Sequence, residues 1–360
     1  MTLLTGKQVD LFNNSLVSPN ETIKWAWSCR VLDNARYKLD TSTLTKPRVG
    51  DLALVQVKEI GKHTSMVMID NKKMRIYEND LLVGVFGNRY ATDAFEGIVD
   101  DVNDLSILTA AGMIGTFKSK HSEVGRPTSV SFIGFLSDEK GKRTNLRELK
   151  FNKSLPRTPI KNLLVVVGSG MNSGKTTASS KLIKGLSKKG LKISACKLTG
   201  SVSNRDQDEM RSASAKSIID FSDYGFPSTY LCSKEDLMDL FNTMLTDMEN
   251  INPDIIVMEI ADGILQRETA MILADQSIKK LIKAVILTAE SATSALYATE
   301  HLQKLGYKVI AVSGTITSSP LSVREFSEHS KIPVASSADC GDELVDIVAE
   351  FIKPTAVTIS

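Results

Sequence analysis

Cysteine and histidine are scarce in this 360-residue chain, with four of each. Cys29, Cys196, Cys232 and Cys340 are scattered, no Cys-x-x-Cys pair occurs, and the histidines lie far apart. That argues against a zinc ribbon and against a disulfide framework. Net charge is nearly absent as well: 44 Lys and Arg against 42 Asp and Glu leave +2. Bulk charge therefore excludes a polyanion-coating protein, although a local basic groove stays open. No apolar run approaches the roughly 18 residues that a membrane span needs. The opening MTLLTGKQVDLFNN has no basic segment followed by a long apolar run, so no secretory signal is expected. The expectation is a reduced, cytoplasmic protein with no membrane partner. What is present is ordinary globular composition, 42% hydrophobic and 24% charged. The length suggests two domains, with enough core to fold without disulfides or a structural metal.

The chain changes grammar near residue 155. Before it, short β-rich runs alternate with turn residues: 51–61, 64–70, 73–80, 81–87 and 129–141 read as strands, punctuated by Gly50-Asp51, Gly61-Lys62 and Asn71-Lys72. Short strands at roughly ten-residue spacing point to a small barrel or sandwich over 1–136, with a short helix at 101–112. The polar, basic stretch 137–161 reads as a linker. Its Lys/Arg run lacks an interleaved aromatic platform, so a solvated surface is expected rather than a nucleic-acid partner. From 162 to 352, apolar strands alternate with amphipathic helices: strands at 162–168, 191–197, 254–260, 284–290, 308–314 and 332–336, helices at 176–190, 206–221, 234–250, 268–283, 291–306, from Pro320, and at 342–352. This is the pattern of an α/β domain with a mostly parallel sheet covered by helices on both faces. Residues 353–360 form a tail.

The strongest local signal is VVVGSGMNSGKTTA (165–178), a strand, a glycine-rich loop and a helix start. A triphosphate needs backbone N–H groups at close range, which Gly168, Gly170 and Gly174 permit. It also needs a lysine to reach the β/γ oxygens, supplied by Lys175, and a hydroxyl for Mg²⁺, supplied by Thr176. Met171, Asn172, Ser173 and Thr177 complete the candidate loop. The spacing is G-x5-G-K-T, because Ser169 stands where the first glycine of the shorter pattern belongs. A neighbouring strand should end in a carboxylate for the metal. Glu259, closing the apolar run 255–258, qualifies, and Asp262 in the same EIADG segment is a second candidate. Lys197 follows an apolar strand at the edge where ligands of parallel sheets collect, with Asp206 and Asp208 in the next loop. Cys196 reads as a small apolar residue.

With these residues in hand, 162–350 resembles the dethiobiotin synthetase branch of phosphate-loop (P-loop) NTPases. Its relatives include cobyrinic acid a,c-diamide synthase and the GTP-binding protein of molybdopterin-guanine dinucleotide synthesis. The resemblance rests on the lengthened loop Gly168–Thr176, on Lys197 in CKLTG, on Asp206 and on Glu259. It implies an α/β P-loop domain, a nucleotide with Mg²⁺ held by Thr176, Asp206 and Glu259, and phosphoryl transfer assisted by Lys175 and Lys197. It also implies a dimer. The chain departs from dethiobiotin synthetases in having EIADG (259–263) rather than E-G-x-G-G, and Lys197-Leu198-Thr199 rather than K-P-V. The biotin-precursor pocket is thus not implied. No N-K-x-D signature occurs, and SGTITSSPLS (313–322) offers no Asn or Asp to read guanine. ATP is expected, with GTP not excluded.

The branch activates a carboxylate or carbamate by phosphorylation. Here the expectation is a ligase- or kinase-like enzyme acting on a small, unidentified substrate, with Asp262, Gln266 and Arg267 as candidate substrate or base residues. A nucleotide-driven switch or metallochaperone acting on a protein partner is the alternative, followed by a binding module that keeps the loop for structure. In the first half, VFGNRYATDAFEG (85–97) gathers Asn88, Arg89, Tyr90, Asp93 and Glu96 after an apolar strand, either as a binding site or as a hydrogen-bonded turn. His63 and His121 read as surface or satisfied residues, and the alternating Trp25 and Trp27 as packing.

Overall fold

A computed structural model describes residues 16–17, 23–32, 37–41, 46–149, 162–336 and 342–352. They fall into two compact units. The first comprises the chain up to Phe151 together with Gly200–Asn204 and Phe221–Leu231; the second comprises Asn152–Thr199, Arg205–Asp220 and the chain from Cys232 onward.

The first unit is built from eleven described strands: β1 (Leu16–Val17), β2 (Ile23–Trp25), β3 (Tyr37–Asp40), β4 (Leu52–Glu59), β5 (Ser65–Val67), β6 (Lys73–Arg75), β7 (Leu81–Phe86), β8 (Phe95–Ile98), β9 (Leu105–Ile107), β10 (Met113–Lys120) and β11 (Ser129–Ser137). Pairing runs from β4 to β7, β7 to β10, β10 to β9, β9 to β11 and β11 back to β4. This closed ring is the small barrel expected, and closure removes the open edges a sheet would otherwise expose. Its interior is filled by side chains such as Val55, Val57, Phe86, Ile107, Ile114 and Phe135. The helix expected at 101–112 is not there. Leu105–Ile107 is strand β9, because its three buried residues complete the ring between β10 and β11.

Of the stretch expected as a linker, 137–149 lies against the barrel and 150–161 falls outside the described residues. Asp51 is wholly buried and accepts from Asn145 Nδ2 at 2.7 Å, Arg143 Nη1 at 3.1 Å and Arg48 Nη2 at 3.2 Å. That carboxylate draws the basic run onto the start of β4. Two excursions from the second half also pack here. Val202 joins Trp27, Val67, Leu108 and Met113 in one cluster. Phe226 lies 3.3 Å beneath the Arg147 guanidinium, and Arg30 pairs with Asp223.

The second unit follows the alternation read from the sequence: β12 (Leu163–Gly168), α1 (Lys175–Lys188), β13 (Ile193–Lys197), α2 (Arg205–Ser212), β14 (Ser217–Asp220), α3 (Lys234–Glu249), β15 (Ile255–Gly263), α4 (Arg267–Ala274), α5 (Gln276–Leu281), β16 (Ile282–Thr288), α6 (Ala292–Lys304), β17 (Val309–Ser313), α7 (Pro320–His329) and α8 (Asp342–Ile352). The six strands are parallel in the order β14-β13-β15-β12-β16-β17. Strands buried on both faces need continuous apolar runs, and β12 is buried at every residue. One face meets α1, α2 and α8 through Leu164, Val166, Leu182, Leu186, Val257 and Val345.

Three elements differ from the sequence reading. The helix expected at 206–221 ends at Ser212, and Ser217–Asp220 extends the sheet as β14; Ser214 at φ +73° marks the turn between them. The helix expected at 268–283 divides at Asp275, whose side chain caps α5 by accepting from the Ser277 and Ile278 N–H groups. The strand expected at 332–336 is a single bridge from Val334 to Val312.

Helix α1 meets α8 at a glycine. A Cβ at Gly185 would stand 2.2 Å from Val345 Cγ2 and 3.1 Å from both Cβ and Cγ1, so the valine must turn, and its Cβ stays in tight contact in any rotamer. Gly to Ala inside a helix ordinarily gains about 0.5–1 kcal/mol. Here Gly185→Ala should instead lose about 1–3 kcal/mol in urea unfolding, and adding Val345→Ala should recover part of the loss. A stabilised single variant would contradict this packing.

Candidate functional site

The site begins where β12 stops. Gly168 pairs with Gly263 and Thr288 of the flanking strands, and the chain then turns through Ser169–Gly174 into α1. Gly174 is the N-cap residue at φ +96°, and no side chain caps this helix end. The first N–H groups of a helix have no acceptor within it, so Lys175, Thr176 and Thr177 present their N–H groups at the positive end of the helix dipole, a ready anion site. Ser173 is wholly buried and braces the loop, lying within hydrogen-bond distance of Gly170 O at 3.0 Å and Thr288 Oγ1 at 2.8 Å.

Lys175 is buried. Its ammonium donates to Gly170 O at 2.7 Å and Met171 O at 3.1 Å, across the mouth of its own loop. Burial lowers its pKa to about 8, against the pull of Glu259, Asp262 and Glu290. Thr176, one residue on, places Oγ1 3.2 Å from Glu259 Oε1 and 3.3 Å from Asp206 Oδ1. Met171 and Asn172 form the turn of the loop, and Thr177 is exposed on the first turn of α1.

Strand register brings the remaining residues in. Glu259 stands opposite Val166 of β12 on one side and Lys197 of β13 on the other. Lys197 Nζ lies 2.7 Å from Asp206 Oδ2 and 3.5 Å from Glu259 Oε1. Burial works against charge on Lys197, but Asp206 and Glu259, with Asp220 behind them, outweigh it and hold its pKa above the ordinary lysine value. Asp206 is likewise subject to burial, which Lys197 and Thr176 overcome, leaving its pKa low. Glu259 is 1% exposed. Burial raises its pKa, against the pull of Lys197.

A divalent cation fits this corner. Thr176, Asp206 and Glu259 offer hard oxygen atoms, and Glu259 Oε2 is buried with no hydrogen-bond partner. No cluster of three or more His, Cys, Asp and Glu side chains forms a cage among the described residues. Mg²⁺ suits such a partial set, since it keeps several waters and takes phosphate oxygens.

The expectation that Glu259 closes its strand is corrected. β15 continues to Gly263, so Glu259 lies within the strand and Asp262 near its end. Asp262 adopts φ +62°, unusual for a non-glycine residue, and its charge reaches Lys175. Gln266 and Arg267 build the start of α4: Gln266 Oε1 accepts from the Glu268 and Thr269 N–H groups at 2.9 and 3.0 Å, while Arg267 pairs with Glu268 and donates to Cys232 O. Asp208 pairs with Arg211 at 3.0 Å on the surface of α2. Cys196 is wholly buried, and burial pushes its thiol pKa well up, as an apolar packing residue requires.

Sequence reading missed four participants. Asp220 closes β14 opposite Lys197, hidden because 206–221 read as one helix. Thr288 holds Ser173, and Glu290 stands near Gly170, where a Cβ would lie 3.0 Å from its Oε1. Gly314, after apolar β17, carries the clearest signal: it sits at φ +91°, and Thr315 N donates to Ser173 O at 3.1 Å.

No protein-family model matches the chain, and no curated protein matches it. Among solved structures, a signal recognition particle receptor FtsY from Elizabethkingia anophelis is similar at 17% identity and TM-score 0.35, covering 59% of this chain and 75% of that one. The same receptor in complex with GDP gives 18% and 0.36, over 58% and 69% of the two chains. The kinase domain of Escherichia coli tyrosine kinase ETK gives 13% and 0.31, over 42% and 66%.

A Cβ at Gly314 would sit 2.0 Å from Ser173 O, whereas Gly190, at φ +86°, has open space around it. Gly190→Ala should therefore cost about 1–2 kcal/mol from backbone conformation alone. Gly314→Ala should cost clearly more in urea unfolding, because the loop carbonyl must also move. Equal losses would contradict the packing of residue 314 against the loop.

Proposed function

We propose that the chain binds a magnesium–nucleoside triphosphate on the 168–176 loop and uses it to phosphorylate the carboxylate of a small substrate. The observation that carries this reading is the convergence of Lys175, Thr176, Lys197, Asp206 and Glu259 beside an uncapped helix N-terminus. In this reading Lys175 leaves the carbonyls of Gly170 and Met171 for the β- and γ-phosphate oxygens. The N–H groups of the loop and of the first turn of α1 hold the β-phosphate. Thr176, Asp206 and Glu259 hold Mg²⁺, which when bound neutralises charge on the phosphates. Lys197 moves from the carboxylates to the transferring phosphoryl group, where a positioned cation lowers the barrier.

A substrate carboxylate oxygen then attacks the γ-phosphorus. The bond to the β-phosphate bridging oxygen breaks, and the nucleoside diphosphate leaves with the electron pair. The resulting acyl phosphate is open to a nucleophile, which expels inorganic phosphate. Asp262, at the end of β15, is the candidate to orient the substrate. ATP is the proposed nucleotide, since 313–322 offers no Asn or Asp to read guanine. Among the described residues no helix is long and apolar enough to cross a membrane.

Phosphate release from Mg-ATP and Mg-GTP tests the reading, with Lys175→Ala as control and a pooled metabolite extract as stimulant. ATP turnover should be low alone, rise with extract and vanish in the variant. Slow GTP turnover indifferent to extract would contradict substrate activation and favour a switch acting on a protein partner.

Lys197 and a metal compete for the same carboxylates. Lys197→Gln should therefore raise Mn²⁺ affinity in the absence of nucleotide by at least about tenfold, or about 1.4 kcal/mol, in a spin-resonance titration. Unchanged Mn²⁺ affinity would remove Lys197 from the metal corner.

A further inference from the structure

The N-terminal barrel gathers basic side chains that the nucleotide reading does not use. Phe95 is wholly buried. Around its ring stand Lys62, with Nζ 5.2 Å from the centroid, Arg89, with Cζ at 5.6 Å, and His63, whose ring centroid lies 5.7 Å away. Arg89 Nε and Nη1 and His63 Nδ1 are buried and have no hydrogen-bond partner. Burial lowers the Arg89 pKa to about 10, although Asp93 pulls the other way. Burial, then Arg89 and Lys62, push His63 down to about 4, against a backbone hydrogen bond with Ile107. Two like charges, Lys62 and Arg89, stand near one imidazole, and buried polar atoms that ought to be satisfied are left open. Either feature is costly in a folded protein, and buried polar groups are nearly always paired.

The backbone holds this arrangement in place. Thr128, wholly buried, accepts from Gly61 N at 2.9 Å and donates to His63 O at 2.7 Å, while Lys62 N donates to Arg126 O at 2.8 Å. Arg89 exchanges both backbone hydrogen bonds with Gly97, at 2.8 and 3.1 Å. Both segments that flank Phe95 are thus held in place. Lys62 is exposed, and His63 and Arg89 are half-buried, so the cluster opens toward solvent on the Lys62 side.

We propose that Lys62, His63 and Arg89 form a binding site for a doubly charged oxyanion, a phosphate group, on the barrel. A guanidinium offers charge-assisted hydrogen bonds to phosphate oxygens, and the two cations, Lys62 and Arg89, match a dianion better than a carboxylate. His63 Nδ1 gains an oxyanion neighbour and takes up a proton more readily. The site stands independently of the nucleotide loop.

Histidine NMR on the full chain tests it, with His63 Hε1 as local reporter and sodium phosphate, acetate and chloride compared at equal ionic strength. At about pH 7.5, where phosphate is mostly the dianion, phosphate should shift the His63 resonance saturably while chloride does not, and with phosphate present the His63 titration midpoint should rise from about 4. Arg89→Gln should abolish saturation, and Lys62→Gln, on the exposed side, should weaken it about threefold. If Arg89→Gln does not fold, Lys62→Gln decides. A shift linear in ionic strength and alike for phosphate and chloride overturns the site. So does saturation unchanged in both variants, and acetate binding as tightly as phosphate overturns the dianion assignment.

Discussion

Lys197 holds the buried Glu259 and the half-buried Asp206 carboxylates in place, and the arrangement of the site depends on it. Asp206 and Glu259 converge within reach of one hydroxyl, Thr176 Oγ1, at 3.3 and 3.2 Å. Two carboxylates out of water and close together repel, and each alone would cost several kcal/mol. The Lys197 ammonium, 2.7 Å from one and 3.5 Å from the other, offsets that cost. Parallel register imposes the geometry, since Glu259 of β15 lies directly between Val166 of β12 and Lys197 of β13. A one-residue slip would turn Glu259 toward the opposite face of the sheet.

The chemistry proposed for the site follows from the same constraint. A corner that needs a cation among Asp206, Glu259 and Thr176 can exchange a tethered one for a free one. Lys175 is held in a comparable state, its ammonium lodged on the carbonyls of Gly170 and Met171. Both lysines occupy positions that phosphate oxygens and a metal would contest. The loop that would receive them is fixed by close backbone packing. Gly263 approaches Ser169 so nearly that a Cβ would meet its carbonyl at 2.7 Å, and Gly314 approaches Ser173 more nearly still. Rigid framing of this kind is what preorganised phosphate binding requires.

The C-terminal architecture was legible because its code is local. β12 is a continuous apolar run, the loop is glycine-rich, and α1 carries Ala178, Leu182, Ile183 and Leu186 on its buried face. The barrel was legible as a class, from strand spacing, but its closure was not: β9 is only three residues long, and it reads as strand only once β10 and β11 flank it. β14 was missed for a related reason. SIID follows a polar helix without a proline or glycine, and the left-handed turn falls on Ser214, which carries no signal of its own. Within the candidate site, the loop residues and Lys197 could be named from sequence because they end or follow apolar strands, Glu259 because it comes directly after the apolar run 255–258, and Asp206 because it lies in the segment after β13. Asp220, Thr288 and Glu290 could not, since their roles depend on which strands neighbour β12 and β13, whereas Gly314, directly after apolar β17, was open to the same reading. Gln266 and Arg267 show the converse. Polar residues after a strand invite a catalytic reading, yet here they cap and pin α4.

Calorimetric titration of ATP with Mg²⁺ and with a chelator, in the wild-type chain and in Glu259→Gln, tests the central claim most directly. The account predicts that Mg²⁺ tightens binding about tenfold or more in the wild type and that this advantage disappears in the variant. Absence of nucleotide binding, or a metal effect that is the same in both proteins, would contradict it.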